Sequence, residues 1–113
     1  MDNKLEKALD FANYAHTLHN QKKLIKQKFK DDCVYYYNAG KFTITDKLIS
    51  LCILYKEDTN VILLDDNEIP IQVKNMGSFT NTIIKQYENA KESYYKEYSQ
   101  LTSHKSVEGL INE

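Results

Sequence analysis

Residues 3–30 read NKLEKALDFANYAHTLHNQKKLIKQKFK, and the spacing of their apolar side chains decides the fold. Phe11, Leu18 and Ile25 recur every seven residues, with Ala8, Ala15 and Phe29 on the alternate positions. That is the period of a helix offering one apolar seam to another helix. Neither Gly nor Pro interrupts the stretch, so a single helix over 3–30 is predicted. At 1.5 Å per residue it would run about 42 Å. A globule of this length has a radius of gyration of about 13 Å and a diameter of roughly 34 Å. The rod outreaches such a body.

A matching stretch lies at the other end. Ile83, Tyr87, Ala90, Tyr94, Tyr98 and Leu101 recur at steps of three and four, predicting a second long helix over 79–103, with a tail at 104–113. The two seams pair either within one chain, as a projecting hairpin, or between neighbouring subunits. Lys22 falls on the first seam and marks a wet or register-setting position.

Between the helices the chain reads as short β elements around a central helix. Cys33–Tyr37 and Lys41–Ile44 flank Asn38-Ala39-Gly40, the pattern of a hairpin over 33–44 with a left-handed Gly40. Thr45 is placed to cap a helix over 46–57, with Asp46 favourable against its dipole. Leu48, Ile49, Leu51, Cys52, Ile53, Leu54 and Tyr55 cover most of that helix, which predicts a buried element. A strand is the rival reading of so dense an apolar run. A second hairpin over 61–73 is predicted around the polar loop Asp65-Asp66-Asn67-Glu68, with Pro70 marking an edge strand. The whole is a single α+β domain: long N- and C-terminal helices packed with a small antiparallel sheet and one buried central helix.

Composition narrows the function classes. The 42% hydrophobic and 27% charged residues are those of an ordinary globular domain. No apolar run reaches the roughly 18 residues needed to span a bilayer, and Met1–Glu6 does not resemble a signal peptide. The expectation is a cytoplasmic protein with no membrane partner. Cys33 and Cys52 lack metal-ligand spacing and read as small buried hydrophobes; a disulfide between them is the alternative. All fifteen basic residues are Lys. Phe, Tyr, Met, Ile, Asn and Lys make up 50 of the 113 residues, the signature of an AT-rich coding sequence. The missing Arg removes the side chain best suited to bidentate phosphate and base recognition.

Each candidate site has a plainer reading beside it. Lys22, Lys23, Lys26, Lys28 and Lys30, with Tyr35–Tyr37 following, could meet nucleic-acid phosphates and stack bases. They are equally a solvated helix end whose cations complement the macrodipole. The acids Glu57, Asp58, Asp65, Asp66 and Glu68 match them in number, within the chain or across a subunit contact. Asp65–Glu68 lacks the alternation and glycine of a calcium loop. His16 and His19 sit three apart off the seam, without a carboxylate or thiol at ligand spacing. Tyr87, Tyr94, Tyr95 and Tyr98 form a face that serves either packing or a partner. No serine or cysteine sits in a strained Gly-flanked turn, and the three glycines are not clustered. No catalytic residue, cofactor or metal is therefore expected.

Three segments carry a resemblance: Leu5–Tyr14, Asn38–Ile44 and Leu63–Ile71. They are similar to a family of small uncharacterised proteins encoded by contractile-tailed phages of marine cyanobacteria and recurring in ocean metagenomes. The resemblance implies an origin, with the host cytoplasm as location, and no mechanism. Ser106–Glu113 loosely resembles the acidic-hydrophobic C-termini with which phage late-transcription factors engage a sliding clamp, although Gly109 stands where that pattern prefers an aromatic. The sequence thus points to a non-enzymatic assembly or accessory protein acting by self-association or protein binding. Phe11, Leu18, Ile25, Tyr87, Tyr94 and Tyr98 are the candidate interface. A nucleic-acid accessory module built on the Lys22–Lys30 patch is the alternative.

Overall fold

A computed structural model describes the backbone of residues 3–112 and the side chains of residues 3–101. In chain order the elements are α1 (Asn3–Asp32), β1 (Val34–Tyr37), β2 (Gly40–Thr43), α2 (Asp46–Leu54), β3 (Thr59–Leu64), β4 (Pro70–Asn75) and α3 (Met76–Asn112). The architecture is α+β with long terminal helices. Its two antiparallel hairpins form separate two-stranded sheets, β1–β2 and β3–β4.

In β1–β2, Tyr35 pairs with Phe42 and Tyr37 with Gly40. The turn is two residues long, with Asn38 and Ala39 both left-handed at φ 46° and 68°, because twin positive φ values match the twist of the strands. Gly40 is therefore not the left-handed residue expected. It opens β2 in extended backbone, and packing is what requires it. A Cβ there would lie 2.8 Å from Ile71 Cγ1 and 3.0 Å from its Cδ1.

Residues 46–54 are helical, which settles helix against strand. Thr45 caps α2, its side chain accepting from Leu48 N at 3.1 Å. The helix stops three residues short of the predicted end. It is also not the buried element expected: only Cys52 is fully buried, while Leu51, Ile53 and Leu54 are exposed. One helix lying on a small core buries one face, and apolar residues elsewhere on its surface stay wet.

The start of α3 also differs from expectation. Asn75 Oδ1 accepts from Ser78 N at 2.9 Å, capping a helix that begins at Met76 rather than 79. Gly77 and Ser78 lie in its first turn. At the far end the backbone stays helical to Asn112, so the predicted tail at 104–113 continues the rod to that residue. The side chains on which the sliding-clamp resemblance rests lie outside those described.

The first turns of α3 organise the core. Phe79 meets Tyr35, Tyr37 and Phe42 edge-on, with centroids 5.6, 5.3 and 5.4 Å away. Met76, Ile83, Val73 and Cys52 are fully buried beside them. Buried Thr80 donates its hydroxyl to Cys52 O, so its polar atom is satisfied. From this head, α1 and α3 project together. The molecule measures 71 × 24 × 17 Å, and its radius of gyration of 21.0 Å far exceeds the roughly 13 Å of a globule this size.

Candidate interaction surface

The arm is an antiparallel helical hairpin within one chain. Phe29 stacks on Tyr94 at 4.9 Å and tilts against Tyr87 at 6.3 Å. Farther along, Lys28 Nζ donates to Glu97 Oε1 at 2.7 Å and to Ser93 Oγ at 3.3 Å. Lys22 Nζ sits 5.4 Å over the Tyr98 ring, as its seam position implied. Near the head, Gln86 Nε2 donates to both Asp32 O and Val34 O at 2.8 Å. This ties the end of α1 and the outer edge of β1 to α3.

Most of the predicted interface residues are consumed by this pairing. Leu18 is buried, and Ile25, Tyr87 and Tyr94 are partly buried. Tyr98 remains 39% exposed beneath Lys22. Phe11 is the exception, at 72% exposed. Its neighbours Leu5 and Leu9 are 57% and 55% exposed, and Ala8, Ala12 and Ala15 are exposed as well. A cavity of about 220 Å³ lies beside them, lined by Phe11, Tyr14, Ala15, Leu18, His19 and Lys22. Leu5 and Leu9 were missed because they lie off the heptad. A count of apolar residues around the whole circumference of 5–15 would have found them.

The head carries two further exposed apolar groups. One is the outer face of α2, with Leu51, Ile53 and Leu54. The other is Ile62 and Leu64, on the opposite face of β3 from buried Leu63. Strand alternation accounts for the second, since one side of a two-stranded sheet packs on α3 and the other faces water.

The lysine patch is divided. Lys22 and Lys28 face α3, and Glu97 raises the Lys28 ammonium's pKa above its ordinary value. Lys23, Lys26 and Lys30 stay exposed on an outer face. The matching acids serve elsewhere. Asp65 accepts from Ile69 N, Asn67 N and Lys41 N at 2.8, 2.9 and 3.1 Å. Asp66 accepts from Thr43 N at 2.9 Å and from its hydroxyl, while Asp66 N donates to Lys41 O. These two carboxylates occupy the outward N–H groups of β2 and dock the second hairpin on its edge. Backbone donors, that of Ile69 foremost, hold the Asp65 carboxyl below the usual range.

The remaining candidates are quiet. His16 and His19 are exposed, and Asn20 Nδ2 lies 3.3 Å from His16 Nε2. No group of three His, Cys, Asp or Glu side chains among the described residues could hold a metal ion. Cys33 and Cys52 are free, buried thiols rather than a disulfide. Burial raises both pKa values, that of Cys52 to about 11, which keeps them as unreactive thiols. No helix among the described residues is long and apolar enough to cross a membrane. No protein-family model, curated protein or solved structure matches the chain.

Proposed function

We propose that this chain is a non-enzymatic, phage-encoded assembly or accessory protein of the host cytoplasm. It acts by presenting a helical arm to protein partners. The observation that carries this reading is the arm itself. A 71 Å molecule holds three large apolar side chains, Leu5, Leu9 and Phe11, exposed near the start of α1. Monomers expose few contiguous apolar patches without a binding role. The phage origin rests on the resemblance of three segments and on the AT-rich residue usage.

A photo-crosslinking side chain at position 11, with one at exposed Asp31 as control, tests the reading in cells expressing the protein. Specific protein adducts from position 11 support it. Adducts to nucleic acid, or none beyond the control, overturn it. The second reading, a nucleic-acid accessory module, is favoured by Lys23, Lys26 and Lys30, which share one exposed face at helical spacing. It requires salt-sensitive binding that falls when those three become Gln.

A further inference from the structure

We infer that Asp65-Asp66 acts as a surrogate third strand on the β2 edge and holds that edge closed to pairing with β2 of a second copy. The site lies on the head and is independent of the arm. Ile44 N donates to Cys33 O at 2.7 Å, and Tyr36 and Val34 stand opposite Lys41 and Thr43. Bonded and non-bonded positions alternate along an antiparallel pair, so Lys41 and Thr43 turn their N–H and C=O groups away from β1. The Asp65-Asp66 segment fills three of those four groups. Asp65 Oδ2 accepts from Lys41 N at 3.1 Å, Asp66 Oδ1 accepts from Thr43 N at 2.9 Å, and Asp66 N donates to Lys41 O at 2.8 Å. One backbone amide and two carboxylates stand where a neighbouring strand would bond.

An uncovered strand edge is a template for another chain, and the other strands carry stops of their own. Gln86 Nε2 donates to Val34 O on β1 at 2.8 Å. β4 opens with Pro70, which has no N–H to offer. In β3, Asn60 is left-handed at φ 55°, which interrupts the extended backbone. β2, Gly40-Lys41-Phe42-Thr43, has neither a proline nor a left-handed residue, and its edge is closed from outside by the second hairpin. The geometry of that edge selects the occupant the segment excludes. An antiparallel β2–β2 pair about a two-fold axis at Phe42 sets Lys41 of each copy opposite Thr43 of the other, in bonded positions. This register keeps the two Lys41 ammonium groups from lying directly opposite one another. It draws on the same Lys41 and Thr43 groups that Asp65 and Asp66 occupy, so loop and second copy compete for one set of donors and acceptors.

Asp66→Pro in the full chain tests the inference. Position 66 is second in the turn closed by Glu68 N donating to Asp65 O at 3.0 Å, a place that suits proline. The change frees Lys41 O and Thr43 N and leaves the Asp65 carboxylate to hold its loop. Sedimentation equilibrium from about 10 µM to about 1 mM should show the variant dimerising at least about tenfold more tightly than the unaltered chain. Adding Thr43→Pro, which removes an outward N–H at a strand edge, should abolish the gain. Amide hydrogen exchange gives a second readout. Exchange at Thr43 N–H should be slow in the unaltered chain, fast in dilute Asp66→Pro and slow again in the concentrated variant. Asp66→Ala, which cuts only the carboxylate bonds, should shift association the same way by a smaller factor, and it carries the test if Asp66→Pro unfolds. Association no tighter than in the unaltered chain overturns the inference, as does a gain that survives Thr43→Pro. Unfolding of both variants by circular dichroism overturns it too, because the segment is then a structural joint rather than a guard.

Discussion

Phe29→Ala perturbs the contact on which the arm depends, and its effect follows from the geometry. The ring stacks on Tyr94 at 4.9 Å and tilts on Tyr87 at 6.3 Å, linking the two helices where they leave the head. A fully buried Phe→Ala change costs about 3–5 kcal/mol. Phe29 is partly buried, so about two thirds of that, roughly 2–3 kcal/mol, is expected, including the lost aromatic contacts. A domain of this size has about 6–15 kcal/mol in all, so the loss is large but the protein still folds. Urea unfolding followed by circular dichroism reads it as a midpoint lowered by about 1–2 M. Leu24→Ala is the matched control. It removes a comparable side chain from the same helix, but Leu24 is 71% exposed, so its cost stays within about 0.5 kcal/mol. A Phe29→Ala effect below about 0.5 kcal/mol, or an equal effect from Leu24→Ala, would refute the reasoning.

Other outcomes follow from the head. The Asp65 carboxyl has a folded pKa below its unfolded value, so its stabilisation is present above about pH 4 and lost as pH falls through the folded pKa. The wild-type urea midpoint should drop in that acid range, and Asp65→Asn should flatten the drop. Gly40→Ala forces a Cβ into Ile71, 2.8 Å from Cγ1, and should destabilise by about 1–3 kcal/mol. A double-mutant cycle should show a smaller cost in an Ile71→Ala background. Buried Cys33 and Cys52, with the Cys52 thiol raised to about 11, should resist alkylation at pH 8 until denaturant is added. Mass spectrometry would show zero adducts before denaturation and two after.

Much of the architecture was legible because it rests on local chemistry. The uninterrupted heptads, the aromatic and β-branched runs beside their turns, and Thr45 before Asp46 are all readable along the chain. What was not legible depends on tertiary placement. The two-residue turn at Asn38-Ala39 frees Gly40 for a packing role that appears only once Ile71 lies across it. Asn75 out-competes the Gly77-Ser78 break as the origin of α3 because its side chain reaches Ser78 N. The exposure of Leu51, Ile53 and Leu54 follows from α2 lying on the core rather than inside it. Asp65 and Asp66 read as a polar loop, and only the proximity of β2 shows them to be edge caps. For the candidate surface, the heptad found the seam that closes within the chain and passed over Leu5 and Leu9 beside it.

Small-angle X-ray scattering of the full chain, extrapolated to infinite dilution, addresses the hairpin arm directly. A radius of gyration near 21 Å and a longest dimension near 71 Å are predicted. A radius close to the roughly 13 Å of a sphere-like 113-residue domain would contradict it.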